Sequence, residues 1–165
     1  MIRRWAGVGL SVVALAWFGW QWTQRRNAPP PGVAADSSAA GVRSARLYFA
    51  SASGDSLVAE PRELLEAASV RERVTGLVAE LDRGPRGAGV AALPAGTAAL
   101  HVFLDERGLL TLDLSRAFQQ GFRGGSGAEY LAVASLVRTL GANLPEVKRI
   151  LIVCGGRPIA TLGGH

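Results

Sequence analysis

The sequence predicts an α+β domain in which two helices pack on a mostly antiparallel sheet, with element order ββαββαββ, preceded by one N-terminal transmembrane helix. Three observations carry that prediction. The chain opens with a long uncharged apolar run, holds one clear stripe of helical period between Val70 and Leu81, and elsewhere shows paired alternating runs joined by glycine-bearing links. With 165 residues, 48% of them hydrophobic, it has the length for one domain with a real core plus a tail or two.

The apolar run comes first. Arg3 and Arg4 precede it, Arg25 and Arg26 follow it, and the eighteen residues from Trp5 to Trp22 carry no charge. A helix of that length spans roughly 27 Å, about the thickness of a bilayer's hydrocarbon core. All four tryptophans fall in this segment, near its two ends, where indole rings suit the headgroup level. A cleaved secretory signal is the competing reading. It wants a small-x-small site, and "GWQWTQRR" offers bulky aromatics and arginines there instead, while "AAD" and "SAAG" further on keep cleavage open. The expected organisation is a cytoplasmic tail at 1–4, a transmembrane signal-anchor at 5–22, a Pro/Ala/Ser-rich linker at 23–42 and a folded domain at 43–165. That places the protein in the cell membrane as a single-pass chain. Its C-terminal domain is extracytoplasmic, in the periplasm or on the outer face, because the short N-terminal flank is the easier one to leave behind.

Charge and cysteine count narrow the function. The net charge of +5 suggests a polyanion partner until the charges are placed, since four of the eighteen basic residues flank the anchor. From Arg43 onward fourteen basic residues face twelve acidic ones, so nucleic acid is not an expected partner. One cysteine, Cys154, excludes a disulfide framework, and His101 and His165 leave no zinc-ligand cluster; no metal or cofactor is expected.

Within the domain, Ala45 to Ser51 alternates and marks a first strand, and "SASGDS" turns the chain. Leu57 to Leu65 alternates partially, and Pro61 confines it to an edge if it is a strand. Val70, Val74, Leu77, Val78 and Leu81 share one helical stripe. Ser69 and Glu72 form a capping box before it, and Gly84 with Pro85 stops it. Leu100–Asp105 and Leu109–Leu114 around "ERG" read as a β-hairpin, "SRAFQQGF" as a helical turn, and Val147–Val153 with Arg157–Leu162 as a further strand pair.

The segment Arg123–Gly141, "RGGSGAEYLAVASLVRTLG", is the candidate functional region. "GGSGA" fits all but the last position of a nucleophile elbow, yet the only internal histidine, His101, precedes the serine, and no acid–histidine order supports it. Cys154 with His101 offers no better pair, because both lie in apolar strand surroundings. No catalytic residue is assigned and no enzyme is expected. A phosphate cradle lacks its lysine, although Arg123, Gly124, Gly125 and Ser126 at a helix N-terminus remain a candidate ligand or interaction site for an anion or glycan such as peptidoglycan. The structural reading makes Ser126 and Glu129 a second capping box. It opens a buried helix with Tyr130, Val133, Ala134, Val137 and Leu140 on one side, and Phe122 stapled against Tyr130 or its neighbours.

Taken together, "LYF", "LVAEPREL", "LVAELDRGP", "LPAGT", "LLTLDLSRAF", "GGSGAEYLAVASLVRTL" and "VKRILIVCGGRPIATLGGH" resemble the GerMN domain, the sporulation and spore germination family, over Ser44 to His165. The resemblance implies a membrane-attached extracytoplasmic α+β domain without known catalytic activity, acting in envelope-spanning assemblies with other envelope proteins or with copies of itself. Many members are lipoproteins, whereas this chain carries no cysteine near its apolar N-terminal run. For such a module the exposed edge at Leu57–Leu65 or the last strand is the expected pairing site.

Overall fold

The computed structural model describes residues 41–159 and Leu162. The tail, the anchor at 5–22 and nearly all of the linker lie outside the described residues, and among the described residues no helix is long and apolar enough to cross a membrane. The unit Ala40–His165 is compact by itself.

Strands β1 (Val42–Ala50) and β2 (Leu57–Leu65) pair antiparallel across all nine positions, from Val42 opposite Leu65 to Ala50 opposite Leu57. β1 begins three residues earlier than its alternation suggested. Its Ala45, Leu47 and Phe49 point into the core, the period of two expected of a half-buried strand. Pro61 lies opposite Arg46 in mid-strand and leaves a missing donor in β2.

Helix α1 (Val70–Arg83) forms where its stripe places it, burying Val74, Leu77, Val78 and Leu81. Ser69 Oγ accepts the Glu72 N–H at 3.2 Å while the Glu72 carboxylate accepts the Ser69 N–H at 3.1 Å, so two free donors of the first turn are satisfied reciprocally. Gly84 ends the helix at φ 84°, a backbone conformation that costs glycine nothing. One charged residue of α1 is buried: Glu80 is only 5% exposed. It meets the guanidinium of Arg62, itself 4% exposed, at 2.8 Å, and Arg62 also donates to Glu60 at 2.6 Å and to the Gly84 carbonyl at 2.9 Å. Strand β2 and the end of α1 are thereby joined through a single side chain.

Four further strands, β3 (Ala99–Leu104), β4 (Leu109–Leu114), β5 (Arg149–Cys154) and β6 (Arg157–Pro158), make a second sheet in that order. The expectation of one sheet is therefore corrected to two. Pairing is antiparallel except between β4 and β5, which run parallel from Leu109–Arg149 to Leu114–Cys154. Between them lie the short α2 (Ala117–Gln120) and the long α3 (Ser126–Asn143), and a helix of eighteen residues returns the chain the length of a strand to where β4 began. Gly155 and Gly156, at φ 56° and 76°, turn β5 into β6. Asp113 of β4 pins that turn by accepting the Gly156 N–H at 2.9 Å, and its other oxygen lies 3.0 Å from His101 Nδ1.

Helix α3 is rotated from the orientation its apolar residues suggested: of the five expected to face inward, Leu140 is buried and Val133 packs at the core's border, while Tyr130 and Val137 are exposed. Leu131, Ala132, Ser135, Leu136, Thr139 and Leu140 face inward, whereas Tyr130 is 72% exposed, so Tyr130 cannot staple to the buried Phe122. The cause is the open edge of β1. Ser135 Oγ donates to the Tyr48 carbonyl and Thr139 Oγ1 accepts the Tyr48 N–H at 3.0 Å. Asn143 then takes the Arg46 N–H at 3.0 Å and donates to its carbonyl at 2.8 Å. Three side chains at i, i+4 and i+8 thus hold the backbone groups that a neighbouring strand would otherwise hold. Leu136 and Leu140 join Leu47, Phe49, Leu77, Leu81, Leu110, Leu112 and Leu114 in one core.

Thr139→Val keeps the shape but leaves the Tyr48 N–H without its acceptor, an expected loss of about 1–3 kcal/mol. Urea unfolding at unchanged slope reads it, and a midpoint equal to wild type would show that the clasp adds nothing. A second expectation concerns acid. The Gly156 N–H, and after it the His101 ring, hold the Asp113 carboxyl below the usual carboxylate range. A carboxylate with a depressed folded pKa contributes stability above its unfolded value of about 3.9, and that contribution is lost as pH falls through the folded value. Thermal melts of wild type and Asp113→Asn should therefore differ near neutrality and converge below pH ~4; a gap that persists in acid would contradict this.

Candidate functional site

The region singled out by its serine is built from the end of α2, the Phe122–Gly125 link and the first turn of α3. Gly125, at φ −87° and ψ −174°, occupies the cap position, and Ser126 is already the first helical residue. No side chain caps this end, so the second capping box expected at Ser126 and Glu129 does not form. The Glu129 N–H bonds instead to the Gly125 carbonyl at 3.0 Å, and the Glu129 carboxylate accepts the Leu162 N–H at 2.9 Å. The acid that would have reached back to a cap holds Leu162 beside the first turn of α3 instead.

Arg123, Gly124 and Gly125 do not converge on a ligand. The Arg123 guanidinium folds back on its own link, donating to the carbonyls of Gln120 at 2.7 Å and Phe122 at 2.8 Å. Gly124 faces the Ala128 methyl so closely that an added Cβ would lie 2.7 Å from it, while Gly125 faces open space. Beside them runs a groove of about 450 Å³, lined by small residues such as Ala50, Ala92, Gly127 and Ala128 with Arg123 at its border. The four residues shape a helix start next to a groove.

The other candidate pairs are separated by the sheet. His101 lies in register with Asp113 and, through it, with Val153; Cys154 pairs with Leu114, one position on, and so projects from the opposite face. Cys154 is buried, and burial, reinforced by the nearby Asp113 charge, pushes its thiol up and keeps it protonated. Among the described residues no group of three or more histidine, cysteine, aspartate or glutamate side chains is placed to hold a metal ion.

What the sequence did not single out is a surface. Along the outward side of α3, Gly127, Tyr130, Ala134, Val137 and Gly141 follow each other at three- and four-residue spacing, with no charge among them. Arg138 borders this stripe and stacks its guanidinium over the Tyr48 ring at 5.5 Å. Read by hydropathy the stripe is core. The signal that it is not lies in Ser135, Thr139 and Asn143, polar residues at i, i+4 and i+8 that mark the side turned toward a backbone edge.

The two helix starts can be told apart by mutation. Ser69→Ala is expected to cost about 1 kcal/mol, as loss of a cap does, whereas Ser126→Ala should change stability by less than ~0.5 kcal/mol. Equal losses in chemical denaturation would restore Ser126 as a cap.

Comparison with known proteins agrees with this geometry. Among curated proteins no relative matches the chain. Among solved structures it is similar to the tandem GerMN domains of the sporulation protein GerM from Bacillus subtilis, with a TM-score of 0.57 and 20% identity over 72% of this chain and 41% of that one. It is likewise similar to the first GerMN domain of that protein alone, at 0.54 and 20%, covering 71% of this chain and 86% of that one. These likenesses show the fold; the chain spans about two fifths of the tandem structure. The family model for Germane, sporulation and spore germination, matches residues 46–160, from β1 past β6, and the chain belongs to that family.

Proposed function

We propose that this chain is a membrane-anchored, non-enzymatic interaction module of the bacterial cell envelope. The folded unit stands outside the cytoplasm on its linker and associates with copies of itself through α3. The observation that supports the reading best is the outward stripe of that helix. A helix whose buried side is already complete gains nothing internally from Tyr130 and Val137 on its other side, and contiguous apolar surface of this kind marks contact sites. Strand-edge pairing, the alternative route, meets obstacles at three of the four edges: α3 occupies that of β1, Pro61 interrupts β2, and β6 has two residues. A glycan or anion at Arg123 is the weaker reading, because that guanidinium is already engaged by two carbonyls.

Two measurements test the reading. The unit from residue 40 onward should sediment with a concentration-dependent mass, and Tyr130→Glu or Val137→Glu should leave its melting temperature nearly unchanged while abolishing the dependence; a strict monomer at high concentration removes the self-association clause. Full-length chain should float with membranes without detergent, and recovery in the soluble fraction would remove the anchor.

A further inference from the structure

The second sheet has two faces, and the core uses one. Val102, Leu104, Leu110, Leu112, Leu114, Ile150, Ile152 and Cys154 pack inward. On the other face the registers Phe103–Thr111–Leu151 and Leu109–Arg149 lie side by side. Phe103 there is 67% exposed and Leu151 46%. At the same end of the sheet three cations outnumber the two carboxylates of the turn, Asp105 and Glu106. Arg149 shares the face, and Arg107 and Lys148 stand beside it, joined at Gly108, whose carbonyl accepts the N–H groups of both Lys148 and Arg149. All three cations are exposed. Of the nearby acids Glu146 is paired with Arg73; Asp105 is held in the turn by the N–H groups of Arg107 and Leu109, and Glu106 is exposed beside it, which leaves the cations in excess by one.

We propose that this face, centred on Phe103 and Leu151 and bordered by Arg107, Lys148 and Arg149, docks on an anionic lipid surface. An exposed aromatic and an aliphatic side chain set among cations match the boundary between acyl chains and acidic headgroups, where apolar burial and attraction to the surface charge act together. A second copy meeting the same face would set like charges against each other. The inference rests on the membrane-anchored reading, which keeps the unit within reach of the bilayer and converts docking into an intramolecular event.

The test uses the full chain carrying Thr111→Cys, between Phe103 and Leu151 on the same face, and an environment-sensitive dye, since the native thiol at Cys154 is buried and leaves the new one to be labelled. The protein is mixed with vesicles of phosphatidylcholine alone or with added phosphatidylglycerol. Dye emission should rise and shift to the blue only with the anionic vesicles, and fall back in high salt. Reversing Lys148→Glu and Arg149→Glu should weaken the response by about fivefold or more per charge, and Phe103→Ser should reduce it without altering the melt. Equal emission with both lipids overturns the proposal, as does a response that tracks protein density rather than lipid charge, which would assign the face to a protein partner. Flotation of the same samples reads the anchor separately: a chain that leaves neutral vesicles lacks it, whatever the dye reports.

Discussion

The open edge of β1 is the constraint around which the domain is arranged. A strand in a two-stranded sheet has backbone donors and acceptors on both sides, and β2 serves only one of them. Ser135, Thr139 and Asn143 serve the other at Arg46 and Tyr48, and the Val90 backbone serves it at Ala50, so along most of β1 the helix α3 acts as a third strand would. That fixes which side of the helix turns inward, keeps the two sheets separate, and leaves the remaining apolar residues of the helix facing out. An edge closed by side chains is also closed to unrelated strands, which protects the sheet from edge-to-edge aggregation.

The sequence and the structure agree where a single local rule governs. Helix α1 has a stripe, a capping box and a glycine stop that all point the same way, and its residues fold as they read. The β3–β4 hairpin is likewise marked by alternation and by glycine in its turn, and the partly alternating Leu57–Leu65 is a strand, whereas the last strand expected over Arg157–Leu162 is only Arg157–Pro158. Agreement fails where a polar side chain answers to a distant backbone group. Ser135 lies eighty-seven residues from Tyr48, and Arg62 eighteen from Glu80, separations over which no periodicity speaks. Glu129 illustrates the same limit at the candidate site: its spacing from Ser126 matched a cap, but its carboxylate is held by Leu162. The surfaces were the least legible part, because hydropathy does not separate an apolar residue kept for the core from one left for contact.

The chain's one cysteine and the only described histidine stand on opposite faces of a sheet. The domain's distinctive features are surfaces on rigid elements: the outward side of a long helix, and the outward face of a sheet with Phe103 at its end. Both are positioned by the same core, so a substitution that loosens it would disturb both at once.

The Arg62 cluster adds a thermal character to this arrangement. Removing an ion pair from water carries a penalty set by hydration, and the hydration of charged groups becomes less favourable as temperature rises. The guanidinium, its two glutamates and the Gly84 carbonyl therefore weigh less heavily against folding in the warm than in the cold. The desolvation cost of the joint between β2 and α1 thus falls on heating and rises on cooling.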